Sequence, residues 1–197
     1  WLEEFAVPYE VFTEAGYEVV VASTKGGQAP VDPSSMPDKP TEAEKNALKL
    51  LENTIALENL PKVQMDAVFF AGGHGTMFDF PKHPEVQKIV SNAFEINLPI
   101  GLVCHGPAAL VGATTEKGEP VAKGRKVTGF TNSEEAAVNL TDDMPFLLED
   151  TLKEQGAEFS SADNFKPHIV VDRNLVTGQN PPSSKPAAEA LLKLLKK

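Results

Sequence analysis

The residues best suited to chemistry stand in one run, Gly101-Leu102-Val103-Cys104-His105-Gly106-Pro107. An apolar stretch that reads as a strand turns abruptly into a small-residue helix, and the chain's single cysteine sits at the turn. This is the pattern of a nucleophile elbow, with Cys where Ser usually stands. A free thiol of pKa ~8.5 is only about 3% thiolate at pH 7. Half ionisation takes roughly 2 kcal/mol of stabilisation, which a helix N-terminus can supply. The spacing therefore predicts a Cys104 thiolate at neutral pH. Gly106 allows close backbone approach, and Pro107 suits a first helical turn. The competing reading is a buried structural cysteine acting as a small hydrophobe.

His105 is the adjacent candidate base. Neighbouring side chains on a regular strand point to opposite faces, so contact with Cys104 requires the sharp turn. A histidine base also needs an orienting carboxylate. Glu134 and Glu135, after Gly129-Phe130-Thr131, are candidates, and so is a plain solvated first helical turn. Gly72-Gly73-His74-Gly75 follows a second apolar strand, where glycines let backbone N–H groups face an oxyanion. Two strand-end motifs reinforce each other, because parallel α/β sheets bind ligands beyond the strand carboxyl ends. Glu4, early in the first helix, reads by itself as a surface acid. His83 and His168 form no metal-binding spacing with other residues, and no metal is expected.

The elements that must position these groups follow from hydrophobic periodicity and turn residues. Leu2–Ala15 reads as a helix stopped by Gly16, and Tyr17–Val21 as a short β-branched strand. Residues 24–40 form a long Gly/Pro-rich loop. Thr41 and Glu44 form a capping box opening a helix to about Leu57. Ala67–Phe70 and Ile100–Val103 are continuous apolar strands, separated by a helix from Pro84 to about Asn97. Residues 118–129 read as a hairpin or strand excursion. Helices follow near 133–139 and 145–155. Ile169–Val171 and Leu175–Thr177 make a hairpin, and Ser184–Leu195 a closing helix whose end Lys193, Lys196 and Lys197 complement. Unalternating apolar strands separated by helices imply a parallel sheet covered on both faces. Such a sheet usually opens with a strand, so a strand upstream of Trp1 is expected.

The 197 residues suit one domain with a real core. A net charge of −10 disfavours nucleic acid and anionic membrane as partners. One cysteine excludes an intrachain disulfide and a multi-cysteine zinc site. No apolar run approaches the ~18 residues that span a bilayer, and cytoplasm is the default location.

Four segments, AGGHGTMFDFP (Ala71–Pro81), VCHGPAAL (Val103–Leu110), TGFTNSEE (Thr128–Glu135) and TGQNPPSS (Thr177–Ser184), resemble the ThiJ/PfpI superfamily. Together with WLEEFAVPYEVFTEAG (Trp1–Gly16), they are similar to its heat-shock chaperone/glyoxalase III branch. The resemblance spans the chain as a single domain and implies a flavodoxin-like, doubly wound, mostly parallel sheet with helices on both faces. It implies Cys104 as nucleophile, His105 as catalytic histidine, Glu4 contacting the sulfur and Glu135 as acidic triad partner. Gly73 and the His105 N–H would bind the oxyanion. His74 would line the pocket, and Asn180 with Pro181 would close it. The implied activity converts methylglyoxal to D-lactate without cofactor or glutathione, in a homodimer. The implied substrate is a small 2-oxoaldehyde. Glu4 beside a thiolate would be protonated and donate to sulfur, its pKa raised by that neighbouring charge. A stress holdase or redox sensor built on Cys104, and a cysteine hydrolase or protein deglycase, are the alternatives. An amidotransferase is disfavoured because Ile169 and Val170 follow His168 where that form places His-x-Glu.

Overall fold

The computed structural model describes residues 1–61 and 64–195. In chain order the helices are α1 (Leu2–Glu14), α2 (Glu42–Leu51), α3 (Thr76–Asp79), α4 (Pro84–Glu95), α5 (Ala108–Val111), α6 (Asn132–Ala137), α7 (Leu148–Glu154) and α8 (Ser184–Leu195). The strands are β1 (Ala22–Ser23), β2 (Ile55–Ala56), β3 (Val68–Phe70), β4 (Ile100–Val103), β5 (Lys126–Val127), β6 (Glu158–Phe159), β7 (Ile169–Asp172) and β8 (Leu175–Gly178). The main sheet runs β3-β4-β8-β7, parallel except for the antiparallel β7–β8 hairpin. Two short parallel pairs, β1–β2 and β5–β6, stand beside it.

The doubly wound arrangement is visible in how alternate residues of the strands sort. Ile100 and Leu102 of β4 and Leu175 of β8 join the cluster made with Val86, Val90 and Ala93 of α4 and Leu110 of α5. Val176, the next residue of β8, packs instead with Ala187, Ala190 and Leu191 of α8. Period-two side-chain alternation thus feeds two helical layers from the same strands. Gly101 faces α8. A Cβ there would meet the Phe69 ring at 2.6 Å, so the glycine is what lets the layers close.

Several elements differ from the sequence expectation. Tyr17–Val21 forms no ladder, and the strand assigned nearby is Ala22–Ser23. β-branched composition supplies the propensity, but the segment meets another strand only at its end, where Val21 O accepts Ile55 N–H at 3.1 Å, and no ladder is built on it. Helix α2 ends at Leu51, not Leu57. The Thr54 hydroxyl donates to Gly27 O at 2.7 Å and Thr54 N–H donates there at 2.8 Å, which pulls residues 54–56 into the β1–β2 pair. The helix after the elbow has only four residues. In the 118–129 stretch Pro120 bridges back to Thr114, and the two-residue β5 follows. Lys196 and Lys197 lie outside the described residues.

Leu102 is fully buried at the centre of the sheet. Leu102→Ala should therefore lower unfolding free energy by about 2–5 kcal/mol. Urea denaturation measures this, and a loss below ~1 kcal/mol would contradict the layered core described above.

Candidate active site

Strand β4 delivers Cys104 into a left-handed conformation, φ 60°. A non-glycine residue held there costs about 1–3 kcal/mol and persists only where its surroundings impose it. Here Cys104 N–H donates to Gly178 O at 2.8 Å, Phe130 N–H donates to Cys104 O at 2.9 Å, and Gly106 N–H donates to Val103 O at 2.7 Å. The reversal turns two consecutive side chains toward each other, placing His105 Nδ1 3.3 Å from Cys104 Sγ.

Glu135 lies in the first turn of α6. Its Oε2 is 2.8 Å from His105 Nε2 and its Oε1 is 2.7 Å from His74 Nε2. Burial pushes the Glu135 carboxyl up, but the bonds from both imidazoles outweigh it and hold the group down at about 2. Burial lowers His105, and the bond to Glu135 only partly offsets this, so the ring is neutral at pH 7. An ionised carboxylate on Nε2 places the ring's proton there and leaves Nδ1 as an acceptor facing the thiol.

Glu4 reaches the same sulfur from α1. It is fully buried, and its Oε2 accepts Gly72 N–H at 2.8 Å. Its Oε1 meets no partner in hydrogen-bond geometry, yet the carboxyl and the Cys104 thiol face each other closely enough to perturb one another. Burial raises Glu4 to about 7. The direction is the one expected for this residue. Its main cause is burial and not the charge of the neighbouring sulfur.

The expected thiolate is corrected. Burial first, then the charge of Glu4, pushes the Cys104 thiol well above its ordinary value. Cys104 is 3% exposed and α5 is only one turn long, so the helix dipole invoked to ionise it is missing. Cys104 rests as a thiol between the His105 ring nitrogen and the Glu4 carboxyl.

The glycine loop closes over this group. Gly72 is the position with no room: a Cβ would lie 2.6 Å from Glu4 Oε2 and 2.7 Å from His105 N. Gly73, at φ 117°, borders the cavity. Among the described residues its N–H and that of His105 donate to no protein oxygen, and the His105 N–H faces the Cys104 sulfur. Thr76 Oγ1 ties the two motifs by donating to Gly73 O at 2.8 Å and His105 O at 3.2 Å. A cavity of about 210 Å³ opens onto Glu4, Gly73, His74, Cys104 and His105, with walls from Trp1, Phe130, Val138, Phe165, Pro181 and Pro182.

Asn180 does not line this cavity. It is buried, donates to Glu134 Oε1 and Lys166 O at 2.8 Å each, and accepts from Ser183 Oγ at 2.8 Å. Its place is behind Pro181 and Pro182, holding them in the rim. Glu134 completes the capping box with Thr131 and pins Phe165 N–H at 2.8 Å, so it builds the site's frame while Glu135 faces the imidazoles. Phe130, Val138, Phe165 and the need for Gly72 were missed. Only the aromatic at Phe130, one residue before the capping box, offered a signal. His83 bonds Thr24 O and His168 bonds Ser160, both away from the site. His74, His105 and Glu135 offer three donor atoms within 4.8 Å, a set able to take a metal ion that no sequence spacing disclosed. To do so they would have to give up the two bonds they make to one another.

The raised Glu4 has a consequence for stability. A carboxyl raised from 4.5 to about 7 contributes fully below pH 4.5, and its contribution is lost as pH rises through 7. Glu4→Gln should therefore gain on wild type by up to ~3 kcal/mol between pH 5 and 8. Chemical denaturation across that range checks the slope, and parallel curves for the two proteins would refute it.

Comparison with known proteins agrees with this geometry. Residues 2–194 match the DJ-1/PfpI family. The chain is 34% identical to Glyoxalase 3 of Candida albicans, over 94% of this chain and 84% of that protein. The crystal structure of glyoxalase III from Candida albicans superposes with a TM-score of 0.88 at 31% identity, covering 98% of this chain and 86% of that one. Rapid Encystment Protein 24 KDa of Francisella tularensis superposes with a TM-score of 0.94 at 36% identity, covering 99% and 89%. A flavodoxin-like sheet, a cysteine elbow and a match along nearly the whole chain lead to one statement of kinship: the chain belongs to the DJ-1/PfpI family.

Proposed function

We propose that this protein is a glutathione-independent glyoxalase that converts methylglyoxal and similar small 2-oxoaldehydes to 2-hydroxy acids, D-lactate from methylglyoxal. The observation that carries the reading is a thiol placed between a neutral imidazole and a carboxyl of pKa about 7, at the floor of a small cavity. The relatives named glyoxalase point the same way.

The chemistry follows from the positions. As Cys104 Sγ attacks the aldehyde carbon, its proton passes to His105 Nδ1 and on to the new alkoxide, giving a hemithioacetal. Gly73 and His105 N–H groups face the developing oxyanion, a contribution worth roughly 3–4 kcal/mol per donor in a protease. Glu4 then removes the proton from the former aldehyde carbon and returns one to the neighbouring carbon through an enediol. A carboxyl near pKa 7 is suited to this, because it both accepts and donates at neutral pH. His105 is less suited, since its Nε2 is held by Glu135 and its Nδ1 faces sulfur. The product is a lactoyl thioester on Cys104, which water cleaves to lactate and the free thiol.

Cys104→Ala removes the nucleophile. The cysteine's burial and raised thiol disfavour a redox sensor, which needs an exposed, low-pKa sulfur. No helix among the described residues is long and apolar enough to cross a membrane. A homodimer belongs to the same proposal on the strength of the resemblance, with the cytoplasm as the default location.

The test is lactate formation from methylglyoxal with no thiol or metal added. Wild type should produce it. Cys104→Ala should produce none while keeping native circular dichroism. Glu4→Gln should lose about 10²–10⁴ in kcat. Glu135→Ala should lose less than Cys104→Ala, because it orients a base and is not one. Turnover by Cys104→Ala would end the proposal.

A further inference from the structure

The glyoxalase reading leaves one half of the reaction without an assigned base. The sulfur side is provided for: His105 Nδ1 and Glu4 both address Cys104. The final step needs water activated against the lactoyl thioester, and the steps above assign neither group to it. His105 and Glu4 are both fully buried, and His105 Nδ1 is already taken up by the sulfur.

His74 is placed differently. It comes from the glycine loop after β3, its ring lies 4.2 Å from that of His105, and it shares the same carboxylate. With Glu135 ionised on Nε2, a singly protonated His74 ring carries its hydrogen there and presents Nδ1 as an acceptor. Among the described residues that Nδ1 makes no hydrogen bond, nor is it one of the sealed, unpartnered polar atoms. The His74 side chain is 20% exposed, against 0% for His105, and it borders the cavity. Glu135 therefore sets two imidazoles in the same tautomer. One acceptor nitrogen faces the nucleophile, and the other belongs to the ring that borders the cavity.

We infer that His74 is a catalytic residue, the general base that activates water for hydrolysis of the thioester on Cys104. This rests on the glyoxalase reading. A water oxygen bonds to the acyl carbon while one of its protons moves to His74 Nδ1. The carbon–sulfur bond breaks, with its electron pair leaving on sulfur. The proton held by His74 passes through the cavity to the sulfur, so lactic acid and the thiol are restored with nothing left over. Before the thioester forms, His74 moves no proton.

The experiment follows pre-steady-state turnover of methylglyoxal by wild type and His74→Gln, whose amide can still donate to Glu135. His74→Gln should form about one equivalent of lactoyl-enzyme in the first turnover and then slow by about 10²–10³. Hydroxylamine attacks thioesters without needing a base. It should release lactohydroxamate and restore the variant's turnover. His74→Ala supplies a second reading: added imidazole should restore hydrolysis there and not in His105→Ala. An active wild type beside a His74→Gln of unchanged rate overturns this assignment alone. So does a variant that makes no lactoyl-enzyme, which would place His74 before the thioester. A wild type that makes no lactate overturns the glyoxalase reading and this assignment with it.

Discussion

A single carboxylate, shut almost entirely away from water, holds one imidazole on each of its oxygens. Glu135 is 4% exposed, and an ion in such a place is stable only if its lone pairs are met. His74 and His105 meet them at 2.7 and 2.8 Å. The exchange runs both ways: the imidazoles keep the carboxylate charged, and the charge decides which nitrogen of each ring carries hydrogen. Remove the carboxylate and each ring is free to rotate or change tautomer, so the thiol loses a fixed acceptor even though no atom touching it has changed. The capping box of Thr131 and Glu134 matters for the same reason. It sets the first turn of α6 and with it the direction in which Glu135 points.

The second carboxylate works by the opposite device. Glu4 has one backbone N–H and no cationic side-chain partner, so burial drives it toward the neutral form, with a pKa of about 7. Two acids within one site are thereby separated, one held near 2 and the other near 7. Environments that push two like groups apart in this way assign their roles. The group that stays charged orients, and the group balanced at neutrality transfers protons. Both outcomes come from what surrounds each carboxyl and not from its residue type.

This explains which parts of the site were legible in the sequence. Cys104, His105 and the glycine loop stand at strand ends, and the apolar runs before them announce those ends. Glu4 and Glu135 carry no such signal. By composition they are helix-start acids, and only the family resemblance distinguished them. A motif's order in the chain does not say which way the Asn180 amide turns, and here it turns inward to Glu134, behind the prolines it holds. Tyr17–Val21 has strand composition, but a ladder also requires a neighbour, which composition cannot report. Phe165 escaped notice because its place in the rim depends on a left-handed backbone at φ 58° and a bond to a residue 31 positions away.

The ionisation of the sulfur is the most instructive miss. From sequence, an elbow followed by a helix implies a dipole aimed at the thiol. The fold supplies one turn of helix, a nearly buried cysteine and a facing acid, and all three favour the thiol over the thiolate. Such a sulfur suits the proposed chemistry better than a permanent anion would. Thiolate character governs attack by oxidants as much as by the nucleophile itself, so a sulfur protonated at rest is a poor target for them. Its proton has somewhere to go at 3.3 Å once an aldehyde carbon comes within reach. Nucleophilicity is then created by the substrate's arrival, which makes the walls of the cavity, through Phe130, Phe165, Pro181 and Pro182, as much a part of the thiol's reactivity as the groups that touch it.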